Sequence, residues 1–103
     1  MNRDEGLRIA RRFKDLLLRR GYPVRRVFLY GSVAKGAAHT DSDIDIAVIT
    51  EPFHPSRIRE GGDILLAGKD VDLRIETVTL HPADLDRPLF ALGREIEWYG
   101  VEV

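Results

Sequence analysis

The stretch Ser42-Asp43-Ile44-Asp45-Ile46-Ala47-Val48-Ile49-Thr50 constrains the fold more than any other part of the chain. Ile44, Ile46 and Val48 alternate with Asp43, Asp45 and Ala47, the period of two that belongs to a β-strand. Successive strand side chains point to opposite faces, so Asp43 and Asp45 share one face and the branched apolar residues share the other. The apolar face needs a covering layer, which calls for a sheet with helices packed on it. The acidic face carries two anions at i and i+2. In a partly desolvated place they repel each other unless one is protonated or a cation lies between them. Magnesium suits such a pair, since it takes oxygen ligands and is commonly held by one or two carboxylates together with substrate phosphates.

Two flanking segments extend this picture. Val27-Phe28-Leu29-Tyr30 reads as a strand ending at Gly31, whose exit turn exposes backbone N–H groups, and Ser32 adds a hydroxyl there. Residues 33–36 read as one helical turn aimed at a phosphate. Downstream, Val71 to Glu76 reads as a further strand, with Val71, Leu73 and Ile75 toward the core and Asp72, Arg74 and Glu76 opposite. Asp72 is the expected third carboxylate. Asp70 and Glu76 compete with it, but Asp70 lies one step before that strand and Glu76 near its end.

Tyr30-Gly31-Ser32-Val33-Ala34-Lys35-Gly36, followed by Thr40-Asp41-Ser42-Asp43-Ile44-Asp45-Ile46, resembles the minimal nucleotidyltransferase family of the DNA polymerase β superfamily. That family's signature is a Gly-Ser turn, an Asp-x-Asp strand and a later strand aspartate. The resemblance is distinct from Val27 to about Ile75 and continues weakly through Leu92-Gly93 and Trp98-Tyr99-Gly100. It implies an α/β (α+β) polymerase β-like core, a small mixed β-sheet with helices packed on one face. It further implies transfer of a nucleotide, AMP from ATP or the nucleotide of another NTP, to a protein or other hydroxyl acceptor. Two Mg2+ ions would be held by Asp43 and Asp45, with Asp72 on the ion beside the acceptor. Gly31, Ser32, Lys35 and Ser42 would contact the nucleotide phosphates. The partner implied is a HEPN-type helical protein, often a ribonuclease toxin, which makes this chain its antitoxin.

At 103 residues the chain is read as one minimal nucleotidyltransferase domain spanning residues 1–103. Its formal net charge of -1 gives no general attraction to nucleic acid. The absence of cysteine removes disulfides, thiolate metal sites and a cysteine nucleophile. No apolar segment is long enough to cross a membrane, and no signal region follows Met1, so a cytoplasmic location is expected. A helix is expected over residues 4–20 on the stripe Ile9, Ala10, Phe13, Leu16 and Leu17, stopped by Gly21 and Pro23. Ser56 is placed to cap a helix carrying Ile58, Ile64 and Leu65, which Gly61-Gly62 would weaken or kink. A short helix over residues 84–92 and a last strand over 95–103 complete the reading. His39, His54 and His81 lie in loops without ligand spacing and are assigned no chemistry.

Other readings remain open at the level of sequence. A binding antitoxin without catalysis would keep the surface and not need the carboxylates; Trp98, Tyr99 and Val101 are candidates for that contact, or simply for the core. A nucleic-acid-binding module would use Arg8, Arg11, Arg12 and Arg19 on one face of the first helix. Self-association is likewise left open.

Overall fold

The first helix starts where Asn2 accepts a hydrogen bond from the Glu5 N–H through its side-chain oxygen, 2.8 Å away. In the computed structural model, which describes residues 1–36, 42–86 and 100–103, this helix, α1, spans Arg3–Arg19. Asp4 and Glu5 sit in its first turn and Arg19 in its last, each matched to the helix dipole. Gly6, Ile9, Ala10, Phe13 and Leu17 are buried along one stripe, as the spacing predicts, while Leu16 is half-buried. Gly21, at φ +84°, turns the chain out of the helix.

Strand β1 (Val24–Tyr30) follows, then a single helical turn, α2 (Gly31–Ala34). Strand β2 (Ile44–Thr50), helix α3 (Arg57–Val71), strand β3 (Ile75–Leu80), a 3-10 turn (Pro82–Asp86) and a short strand β4 (Val101–Glu102) complete the described elements. Among the described residues the sheet has four strands, in the order β3-β2-β1-β4. β1 is antiparallel to β2 and β4, whereas β2 and β3 are parallel. Parallel neighbours need a crossover, and α3 is that crossover.

One sheet face is closed by α1 and α3. Ile9, Phe13 and Leu17 of α1 and Ile64 and Ala67 of α3 pack with Val27, Leu29, Ile44, Ile46, Val48 and Ile75 of the sheet. Two close approaches fix the helices. A Cβ on Gly6 would run into Val33, and one on Gly68 would come within 2.7 Å of Ile75 Cγ2. The opposite face is not uniformly polar as the alternation suggests. Phe28, Ala47, Ile49 and Leu80 form a second buried cluster there, with Tyr30, Val78 and Leu85 against it. The end of that face nearest Gly31 is acidic at Asp45 and Glu76, and Glu102, opposite Phe28, is bonded to Arg26.

The sequence reading is displaced at three places. β2 begins at Ile44, so Asp43 stands just outside the strand. The Gly61-Gly62 pair does not break α3, which continues through fifteen residues. Its Ser56 cap, with the Arg59 N–H donating to Ser56 Oγ at 3.3 Å, and the burial of Ile64 and Ala67 hold it together. Because α3 runs on to Val71, β3 cannot start there. It starts at Ile75, and the expected strand over 71–76 is instead a helix end, a turn and two strand residues. Leu73, expected in the core, is 78% exposed. Of the expected helix over 84–92, the described residues form the end of the 3-10 turn; residues 87–99, including Trp98 and Tyr99, lie outside the description.

A Cβ on Gly61 would meet nothing within 4 Å. Gly61→Ala therefore loses no space and gains helix propensity, so the substitution is expected to raise stability by about 0.5–1 kcal/mol in urea denaturation. An unchanged or lowered midpoint would mean that the backbone at Gly61 is not the helical one described.

Candidate active site

Gly31 is where β1 becomes α2, and its φ of +71° lies in the left-handed region that disfavours a side chain. A Cβ at this position would also collide with the Asp45 carboxylate. Glycine is thus required twice, once for the turn and once to let the backbone lie against Asp45. The first turn of α2 leaves N–H groups without intrahelical acceptors beside that carboxylate. Ser32 is exposed on the same turn, and Lys35 caps its end.

Asp45 sits on the central strand β2. Its register partners are Tyr30 on β1 and Glu76 on β3, and register partners share a face. Asp43, two residues earlier, is exposed, and Ser42 is half-buried. The Ile44 N–H donates to the Arg74 carbonyl at 2.8 Å, so the entry to β2 is tied to the turn before β3.

Asp72 is not on a strand face with these residues. It is the C-cap of α3, its N–H donating to the Gly68 carbonyl. Its carboxylate is taken up by Arg74: Nε donates to Oδ1 at 3.0 Å and Nη2 to Oδ2 at 2.8 Å. The Arg74 backbone N–H adds a third bond to Oδ1 at 2.9 Å. The Arg74 guanidinium holds the Asp72 carboxyl below the ordinary aspartate range, against the opposing pull of burial. Glu76 is the carboxylate that reaches the level of Asp45. Its Oε1 accepts from Lys69 Nζ at 3.1 Å, and that ammonium also donates to the Leu73 carbonyl at 2.8 Å.

Among the described residues no three His, Cys, Asp or Glu side chains form a ready metal cluster. The donor chemistry still fits magnesium. Asp43 and Asp45 offer hard oxygens, and the Gly31 cradle leaves backbone N–H groups beside them for phosphate, which is how magnesium is bound with few protein ligands. A cavity of about 530 Å³, lined by Arg12, Leu16, Arg19, Arg20, Asp70 and Val71 among others, contains none of the expected site residues.

Sequence reasoning missed a charged cluster at the other end of α3. Glu60 is buried, with Oε1 2.8 Å from His81 Nε2 and Oε2 accepting from the Phe53 N–H at 2.8 Å. Burial pushes Glu60 up, but the Phe53 N–H and the His81 ring outweigh it and hold the carboxyl below the usual range. Beside it Arg57 Nη1 and Nη2 donate to Asp84 at 2.7 and 3.1 Å. The one signal was position, since Glu60 lies four residues before Ile64 on the buried stripe.

The sequence matches the model of the nucleotidyltransferase domain family over residues 10–91. The chain belongs to this family. A nucleotidyltransferase of this size finds its fold again in solved structures. A candidate minimal nucleotidyltransferase is 23% identical, with a TM-score of 0.65, over 100% of this chain and 97% of that one. A toxin-antitoxin solved with AMP-PNP is 20% identical, with a TM-score of 0.65, over 90% of this chain and 70% of that one. A mutant of the toxin-antitoxin MntA-HpeT is 17% identical, with a TM-score of 0.64 and the same coverage, 90% and 70%. A search of curated proteins gives no match. The expected mixed sheet with helices is thus the nucleotidyltransferase fold.

Two outcomes follow for the nucleotidyltransferase. Gly31→Ala forces both a disfavoured φ and a clash with Asp45, and is expected to lower transferase activity by about a hundredfold with a stability loss of about 1–3 kcal/mol. A variant with wild-type activity would remove Gly31 from the site. Asp72→Asn tests the Arg74 clamp. Because the folded Asp72 is depressed below its unfolded value, its stabilisation is present above about pH 4 and is lost as pH falls through the folded value. Asp72→Asn is expected to destabilise by about 1 kcal/mol at pH 7, with the difference from wild type shrinking toward pH 3 in denaturant titrations.

Proposed function

We propose that this nucleotidyltransferase transfers AMP from ATP to a hydroxyl on a partner protein, a HEPN-type helical toxin, and silences it. The observation that carries the reading is the contact of Gly31 with Asp45, which sets a phosphate-binding turn against a carboxylate at the end of the central strand. Fold neighbours include a toxin-antitoxin solved with AMP-PNP, which supports an adenine nucleotide and a toxin as partner, while the HEPN type comes from the sequence resemblance.

In this proposal Gly31 and Ser32 hold the β and γ phosphates through the backbone N–H groups and the hydroxyl, with Lys35 and Ser42 adding contacts at the rim. Asp43 and Asp45 would hold magnesium, with Glu76 as the third carboxylate: it shares the face of Asp45 and is paired with Lys69, whereas Asp72 lies off that face and is bound to Arg74. Magnesium, when bound, offsets the charge that builds on the attacking and leaving oxygens. The acceptor hydroxyl attacks the α-phosphorus, its proton passes to a neighbouring carboxylate, and pyrophosphate leaves. Asp72 acts as a positioning residue: it holds Arg74, whose carbonyl fixes Ile44 between Asp43 and Asp45.

The test is intact-mass measurement of the co-purified partner after incubation with Mg2+ and ATP. Asp45→Asn and Glu76→Gln are each expected to cut AMP transfer by a factor on the order of a hundred or more, Asp72→Asn by about tenfold. A partner that binds but gains no mass with the wild-type protein would leave a binding antitoxin and end the transferase proposal. Full loss in Asp72→Asn with Glu76→Gln unaffected would return the third metal-binding position to Asp72.

A further inference from the structure

Glu76 and Asp45 are register neighbours on β3 and β2, and both side chains lie on the sheet face opposite α1 and α3. Asp43 stands two residues before Asp45, at the entry to the strand. Yet among the described residues these carboxylates do not draw together into a cluster of three. The bond that Glu76 makes points to the reason.

Lys69 lies in the last turn of α3, on the far side of the sheet from Glu76. The hydrogen-bonded backbones of β2 and β3 close the path between those two strands. Beyond β3 no further strand is paired among the described residues, so the margin of β3 is open to a side chain coming round it. The Lys69 ammonium thus meets Glu76 from the side that Asp45 does not occupy. It donates to Glu76 Oε1 at 3.1 Å and to the Leu73 carbonyl at 2.8 Å.

The two acceptors have different roles. The Leu73 carbonyl, just past the end of α3, keeps the ammonium in place by itself and lies where the helix dipole favours a cation. Glu76 is therefore free to leave without stranding Lys69. Its pair with Lys69 is half in water, the side chains being 29% and 51% exposed. An ion pair of that exposure is weak, and a doubly charged ion bound at Asp45 competes with it well.

We propose that Lys69 is a latch on the metal site: it holds Glu76 at the margin of β3, and Glu76 exchanges the ammonium for a divalent cation bound at Asp43 and Asp45. The latch rests on the reading of Glu76 as the third carboxylate. It has two effects of opposite sign. Lys69 offsets the charge of Glu76, which lessens repulsion with Asp45 across the register pair. It also makes an incoming ion displace a bonded ammonium, so the site binds more weakly than its carboxylates would alone. Lys69 is thus a positioning residue that sets metal affinity.

Electron paramagnetic resonance of Mn2+, a hard ion that takes the same oxygen ligands, measures binding to the full chain without nucleotide or partner. Lys69→Met, similar in length but uncharged, is expected to tighten Mn2+ binding by about three- to tenfold, and Lys69→Arg to leave it within about twofold. Glu76→Gln is expected to weaken binding by about fivefold or more. Combining Lys69→Met with Glu76→Gln should abolish most of the tightening, because no carboxylate is left to release. A lysine with only a structural role would give the opposite sign, since loosening the end of α3 weakens the site. Amine acetylation of the wild-type chain provides a check without substitution: labelling of Lys69 is expected to rise by about twofold when Mg2+ is added. Lys14, whose Nζ donates to the Val103 carbonyl at 2.8 Å, should label equally with and without Mg2+. Binding unchanged or weakened in Lys69→Met, undiminished tightening in the double variant, or Lys69 labelling indifferent to Mg2+ would each overturn the latch while Glu76→Gln still weakens the site. Wild-type Mn2+ affinity in Glu76→Gln would instead overturn the third-carboxylate reading, and the latch with it.

Discussion

The contact between the Gly31 backbone and the Asp45 carboxylate is the constraint on which the rest of the site depends. It brings together residues fourteen apart in sequence, and it exists only because β1 and β2 are antiparallel with Tyr30 opposite Asp45. A one-residue slip in that register would carry Asp45 to the helix-covered face and leave Ile44 or Ile46 in its place. The hydrophobic demand of Val27, Leu29, Ile44, Ile46 and Val48 forbids that slip, since all five are fully buried under the helices. The core thus sets the position of the carboxylate, and the left-handed glycine permits the close approach.

Helix α3 extends the same control to β3. Its N-terminal half is anchored by Arg57–Asp84 and Glu60–His81, at 2.7 and 2.8 Å, to the end of β3 and the turn beyond it. Its C-terminal end is held by Arg20–Asp70 at 3.0 Å and Lys69–Glu76 at 3.1 Å. The exposed pairs contribute little each, but Glu60 is buried and its loss of a partner would leave an uncompensated charge in the core. With the helix fixed at both ends, the short turn through Asp72 and Arg74 has little freedom. Its carbonyl bond to Ile44 then aligns the entry to β2 with the start of β3.

Much of this was legible in the sequence where one physical signal dominated. The α1 stripe and its glycine stop, the period-two run through Ile44, Ile46 and Val48, and the glycine after Tyr30 each specify one local structure, and the fold contains all three. Errors arose where two signals competed. Val71-Asp72-Leu73-Arg74 alternates as a strand would, but it also follows a helix whose buried Ile64, Ala67 and Gly68 favour continuation, and tertiary packing decided for the helix. The same shift moved the carboxylate beside Asp45 from Asp72 to Glu76. Glu60 and His81 were invisible for a different reason. A part-buried hydrogen bond joins positions twenty-one residues apart, and nothing in local sequence marks either member as the partner of the other.

The sheet face opposite the helices shows why the site lies where it does. Phe28, Ala47 and Val78 form one row across β1, β2 and β3, and the next row on the same face is Tyr30, Asp45 and Glu76. The first row belongs to a buried apolar cluster, and the second brings carboxylates to its margin. Two residues of strand length, about 7 Å, separate a low-dielectric interior from an acidic edge. Asp43 and Glu76 are exposed, and Glu76 is paired with Lys69, whereas Asp45 is half-buried against Gly31. Of the three carboxylates, Asp45 is therefore the one that the apolar row shields from water, because it alone stands on the central strand at the margin of the buried cluster.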